Sequence, residues 1–200
     1  MSLLKRLFHS KSKSEEKKAS SDHSKYYPQE QLPTDEKFTE NFRKNGGKFL
    51  YCESFKEAQD NFDNILLEND WYEKDVLCVD KELSEQFDGY NLNFTKDSKS
   101  TFFFSKCESL IANNGSILLS SNQIKEKKLD ELPQNFIVLA KTSQLVDSIS
   151  EGLRNIKNQC KGRIPSNITT IQDFGAHEEK DFMSYGSSTK NLYLLLLEDL

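Results

Sequence analysis

The chain of 200 residues carries 27 Lys and Arg against 32 Asp and Glu, a formal net charge of −5. A composition of 36% hydrophobic and 30% charged residues excludes wholesale disorder. The acidic balance argues against nucleic acid as a partner, because DNA- and RNA-binding domains are usually basic. No apolar run approaches the ~20 residues that span a bilayer, so no transmembrane segment is predicted.

The charge is unevenly distributed along the chain. Residues 1–25 hold seven basic and three acidic groups, whereas the remaining 175 residues have a net charge of −9. We therefore predict a basic, disordered tail over residues 1–29 and one α/β domain over residues 30–200. The tail lacks the features of a secretory signal peptide. Its apolar residues could form one stripe of a helix that binds a membrane surface or a partner protein. The alternative is a solvated terminus. The apolar residues are Leu3, Leu4, Leu7 and Phe8.

The four cysteines show no metal-binding pattern. Cys52, Cys78, Cys107 and Cys160 contain no C-x-x-C pair, so their spacing indicates neither a zinc ribbon nor an iron–sulfur cluster. Three of them fall in apolar runs typical of buried strands. We predict small core residues kept reduced in the cytoplasm, and no cofactor is evident in this chain.

The first elements follow from capping signals. Thr34 is a good N-cap, and Gly46-Gly47 can end the same helix in the left-handed conformation. Lys48–Cys52 is typical of a strand. Ser54 opens a capping box, which predicts a second helix.

Short strands and one charged helix are predicted next. Asp75–Val79 has the apolar character of a buried strand, and Asp80–Phe87 that of a charged helix. Tyr90–Phe94 and Phe102–Ser105 are further strand candidates. This alternation of strands and helices is typical of the α/β class.

A hairpin signal lies near the middle of the chain. Two β-rich runs flank Asn113-Asn114-Gly115, and both Asn and Gly tolerate positive φ. The turn amides, with Ser116, could face an anion. The alternative is an ordinary hairpin turn.

The last third of the chain predicts a further helix and three strands. Phe136–Ala140 is a nearly continuous apolar strand, and Ile168–Ile171 and Leu192–Leu197 are two others. Thr142 is predicted to cap a helix. Its buried face would contain Leu145, Val146, Ile149, Leu153 and Ile156.

Few residues carry a chemical signal of their own. The sequence has no P-loop, dinucleotide fingerprint, G-x-S-x-G elbow or H-E-x-x-H pattern. A small-residue loop before the last strand offers Gly186, Ser187 and Lys190 to a phosphate or carboxylate, unless it is a plain solvated turn. Glu108, beside strand-like apolar residues, is a weak candidate for acid–base catalysis.

Three segments, taken in order, resemble one known family. Cys107–Leu119 resembles the central segment of the LUD domain of the lactate-utilisation protein C type, in which an acidic residue precedes an Ala-x-[ST/N]-Gly-[ST]-hydrophobic run. Leu132-Pro133, followed by an apolar strand, resembles the next family segment. The third segment, Tyr185-Gly186-Ser187 before the last strand, is similar to the C-terminal segment of the family.

The resemblance implies a three-layer α/β/α, Rossmann-like fold of the type shared by sugar-phosphate isomerases and CoA transferases. It also implies a role in oxidising L-lactate to pyruvate, as a cluster-free accessory subunit beside two iron–sulfur partner proteins. A small organic acid or a phosphate-bearing molecule is the expected ligand.

One departure from the family pattern leaves alternatives open. Ile168–Phe174 stands where the family usually carries Gly-Pro-Ser-x-Thr-x-Asp. The chain is therefore alternatively a non-enzymatic interaction module that has lost the family ligand site. A third hypothesis is an enzyme with one cleft formed by Glu108, Asn114, Ser116 and Lys190. Whether the chain is an enzyme and its oligomeric state stay open.

Overall fold

The computed structural model describes residues 32–160, 162–175 and 189–199, so the predicted tail over residues 1–29 lies outside it. The helices are α1 (Thr34–Lys44), α2 (Phe55–Asn69), α3 (Lys81–Gln86), α4 (Ser121–Ile124) and α5 (Ile149–Gln159). The strands are β1 (Lys48–Cys52), β2 (Asp75–Leu77), β3 (Asn93–Thr95), β4 (Phe102–Ser105), β5 (Ser109–Ile111), β6 (Ser116–Leu119), β7 (Asn135–Lys141), β8 (Leu145–Val146), β9 (Thr169–Ile171) and β10 (Asn191–Leu197).

Six strands form a parallel sheet in the order β1-β10-β7-β4-β2-β3. Successive side chains alternate between its two faces: Phe102 and Phe104 join the core on one face, and Phe103 joins the core on the other. Both faces of the sheet are therefore buried. This explains why β7 and β10 are apolar along nearly their whole length.

Helices cover both faces of this sheet. α2 and α3 bury one face with an aromatic cluster in which Phe62 lies 4.7 Å from Phe104 and 4.8 Å from Phe87, centroid to centroid. On the other face lie α1 and a smaller sheet in the order β8-β5-β6-β9. α5 packs outside this small sheet through Ile156. The predicted three-layer α/β/α architecture is confirmed, with the small sheet added to one outer layer.

Several local predictions are confirmed residue by residue. The Ser54 side chain accepts a hydrogen bond from the Glu57 N–H at the start of α2. Gly46, which follows the C-cap residue Asn45 of α1, has φ +84°. β5 and β6 form the predicted antiparallel hairpin, with Gly115 at φ +65° in the turn. No helix in the described ranges is long and apolar enough to cross a membrane.

The helix predicted from Thr142 is wrong at its start. Leu145 and Val146 form strand β8, which pairs in parallel with β5, and the Val146 carbonyl accepts the Ala112 N–H. Ser148 caps α5 by accepting the Glu151 N–H. The apolar spacing fitted a helix, but pairing with a strand distant in sequence determines the conformation of these two residues.

Smaller corrections concern boundaries. Pro33, not Thr34, occupies the N-cap position of α1, and the Thr34 hydroxyl instead donates to the Asp147 carboxylate at 2.7 Å. β2 ends at Leu77, and β3 begins at Asn93, three residues later than predicted.

Three thiols lie in the core, as predicted. Cys52, Cys78 and Cys107 are buried and free, and Cys160 is half-buried. Burial raises the pKa of the Cys52 and Cys78 thiols to about 11. Burial, and then the Glu108 charge, raises the pKa of Cys107 still further. These three thiols are therefore protonated at neutral pH.

Candidate functional site

A crevice of about 610 Å³ lies where the carboxyl ends of the parallel strands meet. In open α/β sheets this edge is the usual place for ligands, because the loops that follow the strands converge there. Ser105 ends β4, Lys141 ends β7 and Leu197 ends β10, and Val79 and Asp80 follow β2. The further lining residues are Phe55, Glu82, Gln86, Lys106, Cys107, Asn122, Gln123, Lys125, Leu139 and Gln144.

The lysines of the crevice differ in how far they are neutralised. The Lys106 ammonium lies 3.0 Å from a carboxylate oxygen of Asp80 and 3.0 Å from one of Glu82. The Lys141 ammonium lies 3.7 Å from Asp199. Among the described residues, the Lys125 ammonium has neither a hydrogen-bond nor an ion-pair partner. Lys125 is therefore the cation of the crevice that is available to an anion.

The backbone of Lys125 has an unusual conformation. It directly follows α4 with φ 55° and ψ −133°, a conformation that residues other than glycine rarely adopt. Such strain costs of order 1–3 kcal/mol and is found most often at ligand-binding and catalytic positions. The carbonyl of Lys125 is held in place by the Asn167 side-chain amide at 2.8 Å. A costly backbone therefore places this ammonium at the crevice.

The Asp80–Lys106 pair is coupled to the start of α3. Burial alone raises the pKa of Asp80, but the Leu83 N–H, 3.1 Å away, and the Lys106 ammonium together bring it below its ordinary value. Burial alone lowers the pKa of Lys106, and Asp80 and Glu82 raise it above its ordinary value. Both groups are charged at neutral pH, and Asp80 also caps α3.

Replacing Asp80 with Asn is expected to lower the free energy of unfolding at neutral pH by about 0.5–1 kcal/mol, because Asn keeps the cap and loses the ion pair. The pKa of Asp80 is lower in the folded protein than in the unfolded chain, so the extra stability of the wild type is complete above about pH 5. This extra stability disappears as the pH falls below the unfolded pKa of about 3.9 and through the folded pKa. Urea unfolding of both proteins over a pH series measures it. A stability difference that does not vary with pH would contradict this assignment. Glu85→Gln, which breaks the exposed Lys81–Glu85 pair, is the matched control.

Two further polar side chains of the crevice are already engaged. The Ser105 hydroxyl donates to the Lys106 carbonyl at 2.9 Å. The Gln144 side chain accepts the Lys141 N–H at 2.7 Å and donates to the Cys107 carbonyl at 2.6 Å, which ties the ends of β7 and β4 together. With the Cys107 thiol protonated, the arrangement provides a cationic binding surface and no activated nucleophile among these residues.

Glu108 does not line the crevice but supports it from the side. One carboxylate oxygen accepts hydrogen bonds from the Ser120 hydroxyl at 2.6 Å, the Asn122 amide at 2.9 Å and the Gln123 amide at 3.1 Å. Asn122 and Gln123 are lining residues on α4. The structure thus gives Glu108 a positioning role, and its predicted catalytic role stays a prediction.

The turn Asn113–Ser116 packs against α1. The Asn41 side-chain amide donates to the Ala112 carbonyl at 2.8 Å, and that of Asn45 donates to the Asn114 carbonyl at 2.7 Å. The Ser116 N–H and hydroxyl both donate to the Asn114 side-chain oxygen. These contacts are those of an ordinary hairpin turn that anchors a helix.

Lys190 occupies a different environment from the predicted one. We expected it in an open loop beside Gly186 and Ser187, but it is only 3% exposed, and its ammonium donates to the Leu132 and Pro133 carbonyls, each at 3.1 Å. Burial lowers its pKa. Gly186 and Ser187 lie outside the described residues.

The four residues of the third hypothesis do not meet in one cleft. Glu108 precedes β5 and Asn114 lies in the turn that follows it, so they stand at opposite ends of the hairpin. The Lys190 ammonium is directed at two main-chain carbonyls. The single-cleft arrangement of Glu108, Asn114, Ser116 and Lys190 is therefore wrong.

A larger cleft of about 860 Å³ contains the segment that departs from the family pattern. Thr169–Asp173 lines it beside Lys44, Lys127 and Lys128, whereas Asn113–Ser116 does not. None of its lining residues comes from the carboxyl ends of the parallel strands. We therefore place the candidate site in the crevice described above.

The sequence analysis missed the lysines of the crevice, although a signal for them existed. Lys106 directly follows the predicted strand Phe102–Ser105, and Lys141 directly follows Phe136–Ala140. A polar residue after a buried parallel strand marks the ligand-binding edge of the sheet. Lys125 carries no such signal, because its position depends on how α4 packs.

Comparison with known proteins identifies the family and a structure of similar fold. The LUD domain family model matches residues 70–196. The crystal structure of a DUF162 family protein from Deinococcus radiodurans is 12% identical in sequence, with a TM-score of 0.55, and the match covers 84% of this chain and 100% of that one. This structural likeness concerns the fold alone. No curated protein matches the sequence.

The matched range includes β2 to β10 up to Leu196, and thus most of the crevice. It also includes the three successive segments, from Cys107 onward, on which the resemblance to the family is based. Because the match extends over more than half of its residues, the chain belongs to the LUD domain family.

Proposed function

We propose that this LUD-domain protein binds a small organic acid of the lactate and pyruvate class in the crevice at the carboxyl ends of its parallel strands. In this proposal it is the cluster-free accessory component of L-lactate oxidation, and iron–sulfur partner proteins carry the electrons. The observation that supports it most strongly is Lys125, which lines this edge on a strained backbone and whose ammonium has no hydrogen-bond or ion-pair partner among the described residues.

The local charge favours an anion. The crevice contains three lysines and two carboxylates, in a chain whose overall net charge is −5. Lys106 is matched by its own two carboxylates and Lys141 is paired with Asp199, so among the described residues the positive charge of the crevice that is left for a ligand is that of Lys125. A carboxylate that binds a lysine forms a charge-assisted hydrogen bond, which contributes about 1.5–3 kcal/mol.

The state of the cysteine thiols bears on whether this chain or a partner protein would carry an iron–sulfur cluster. Iron–sulfur clusters are ligated by cysteine thiolates. Burial holds the thiols of Cys52, Cys78 and Cys107 protonated. The proposal therefore assigns the redox cluster to a partner and ligand binding to this chain.

Titration calorimetry of the purified chain tests the binding step. L-Lactate and pyruvate are expected to bind saturably, and lactamide, which has the size of lactate without its charge, is expected not to bind. Equal binding of lactate and lactamide, or binding of neither, would overturn the proposal.

The biological role is tested by deletion of the gene. Growth on L-lactate is expected to fail and to be restored by the wild-type gene. If the protein binds no carboxylate and growth is unchanged, the interaction-module alternative replaces the proposal.

A further inference from the structure

A second, smaller cavity adjoins the crevice. It measures about 370 Å³ and shares three lining residues with the crevice: Val79, Gln123 and Lys125. The two spaces are therefore neighbouring chambers that meet beside the Lys125 side chain. We call the smaller of the two the apolar chamber.

One part of the wall of the apolar chamber is hydrocarbon. Leu77, Phe103, Ile124 and Leu132 line it, and each of them is at most 5% exposed. They belong to the core between the large sheet and the layer of α1. The walls therefore come from the rigid core.

The polar groups of the apolar chamber lie in lysine side chains and at the shared junction. Lys96 and Lys127 line it together with Lys125. The Lys127 ammonium is fixed by the Ser98 hydroxyl at 2.6 Å and the Lys96 carbonyl at 3.1 Å. Within the described residues, no buried side-chain nitrogen or oxygen lacks a hydrogen-bond partner. The hydrocarbon walls therefore offer no unsatisfied polar side chain to a ligand.

A site of this kind fits a ligand with two unlike ends. A carboxylate would bind Lys125 at the junction, and a hydrocarbon chain would replace water against the four apolar walls. Lactate has a single methyl group beyond its hydroxyl-bearing carbon, so it would leave the apolar chamber almost empty.

We infer that the preferred ligand is an α-hydroxy or α-keto acid with a longer alkyl chain than lactate, its carboxylate at Lys125 and its chain in the apolar chamber. This inference rests on the proposed function, whose crevice supplies the carboxylate site. It extends that function because the apolar chamber would select ligands by the length of their alkyl chain.

A homologous ligand series tests the inference by calorimetry on the full chain. Affinity is expected to rise by about threefold to fourfold per added methylene from lactate through α-hydroxybutyrate to α-hydroxyhexanoate, the increase that burial of a CH₂ group provides. Leu132→Trp, which fills the apolar chamber, is expected to remove this increase along the series. Leu67→Trp, at a leucine that is 70% exposed on α2, is the matched control and is expected to keep the increase.

The outcomes separate this inference from the function on which it rests. Lactate binding with no gain along the series would overturn the apolar chamber as a ligand site and leave the proposed function standing. Binding of no carboxylate at all would overturn the proposed function itself. The wild-type series is decisive even if Leu132→Trp fails to fold. A gain that Leu132→Trp retains would place the alkyl chain elsewhere and contradict the inference.

Discussion

Gly115→Ala is expected to lower the free energy of unfolding by about 3 kcal/mol or more. Gly115 has φ +65°, and a Cβ atom there would lie 2.4 Å from the main-chain carbon of Asn41 and 2.4 Å from the main-chain nitrogen of Phe42. Both contacts are with the backbone of α1, so neither can be relieved by a side-chain rotation. The hairpin would have to separate from the helix that it anchors. Urea unfolding monitored by circular dichroism measures the loss.

Gly89→Ala is the matched control for this substitution. Gly89 also has positive φ, at +104°, but nothing lies within 4 Å of an added Cβ atom. Only the backbone cost of about 1 kcal/mol is expected there. If the two variants lose the same stability, close packing of the turn on α1 is not what requires glycine at position 115.

Lys125→Glu is expected to weaken carboxylate binding at least tenfold and as much as a hundredfold. The substitution removes a charge-assisted hydrogen bond of about 1.5–3 kcal/mol and adds repulsion between like charges. The fold is expected to persist, because the ammonium has no partner among the described residues to lose. Calorimetric titration with L-lactate measures the change.

Lys157→Glu is the matched control, because Lys157 is an exposed lysine in the last turn of α5 and does not line the crevice. It makes the same change in net charge and is expected to leave lactate affinity nearly unchanged. A similar loss in both variants would indicate long-range attraction by the overall charge rather than a site at Lys125.

Lys125→Gly should separate function from stability by effects of opposite sign. Glycine adopts φ 55°, ψ −133° without the steric cost that a lysine bears, so the variant is expected to gain about 1 kcal/mol in stability. The same variant should lose carboxylate affinity, because the ammonium is gone. A variant that is both less stable and equally able to bind lactate would contradict the role assigned to Lys125.

The sequence predicted those parts of the fold that local signals determine. The Asn113-Asn114-Gly115 turn requires positive φ at its glycine, and β7 and β10 are apolar because both faces of the sheet are covered. The Ser54 cap follows from a side chain one turn away from the N–H group whose hydrogen bond it accepts. Each of these signals depends on a few neighbouring residues.

The prediction failed where distant segments meet. Leu145 and Val146 become a strand because β5, more than thirty residues earlier, offers its edge. The crevice depends in the same way on loops that converge only after β2, β4 and β7 have paired. Lys190 shows the same limit: it follows a small-residue loop in sequence, but its ammonium is buried against the carbonyls of Leu132 and Pro133.

Amide-resolved NMR during titration with L-lactate tests the central claim most directly, because it locates the bound anion on the folded chain. The account predicts that the largest shifts fall on the loops at the carboxyl edge of the sheet, at residues 79–82, 105–107 and 122–125, and that they saturate with the calorimetric affinity. Shifts centred instead on Asn113–Ser116 or on Thr169–Asp173, or no shifts at lactate concentrations that saturate calorimetric binding, would contradict it.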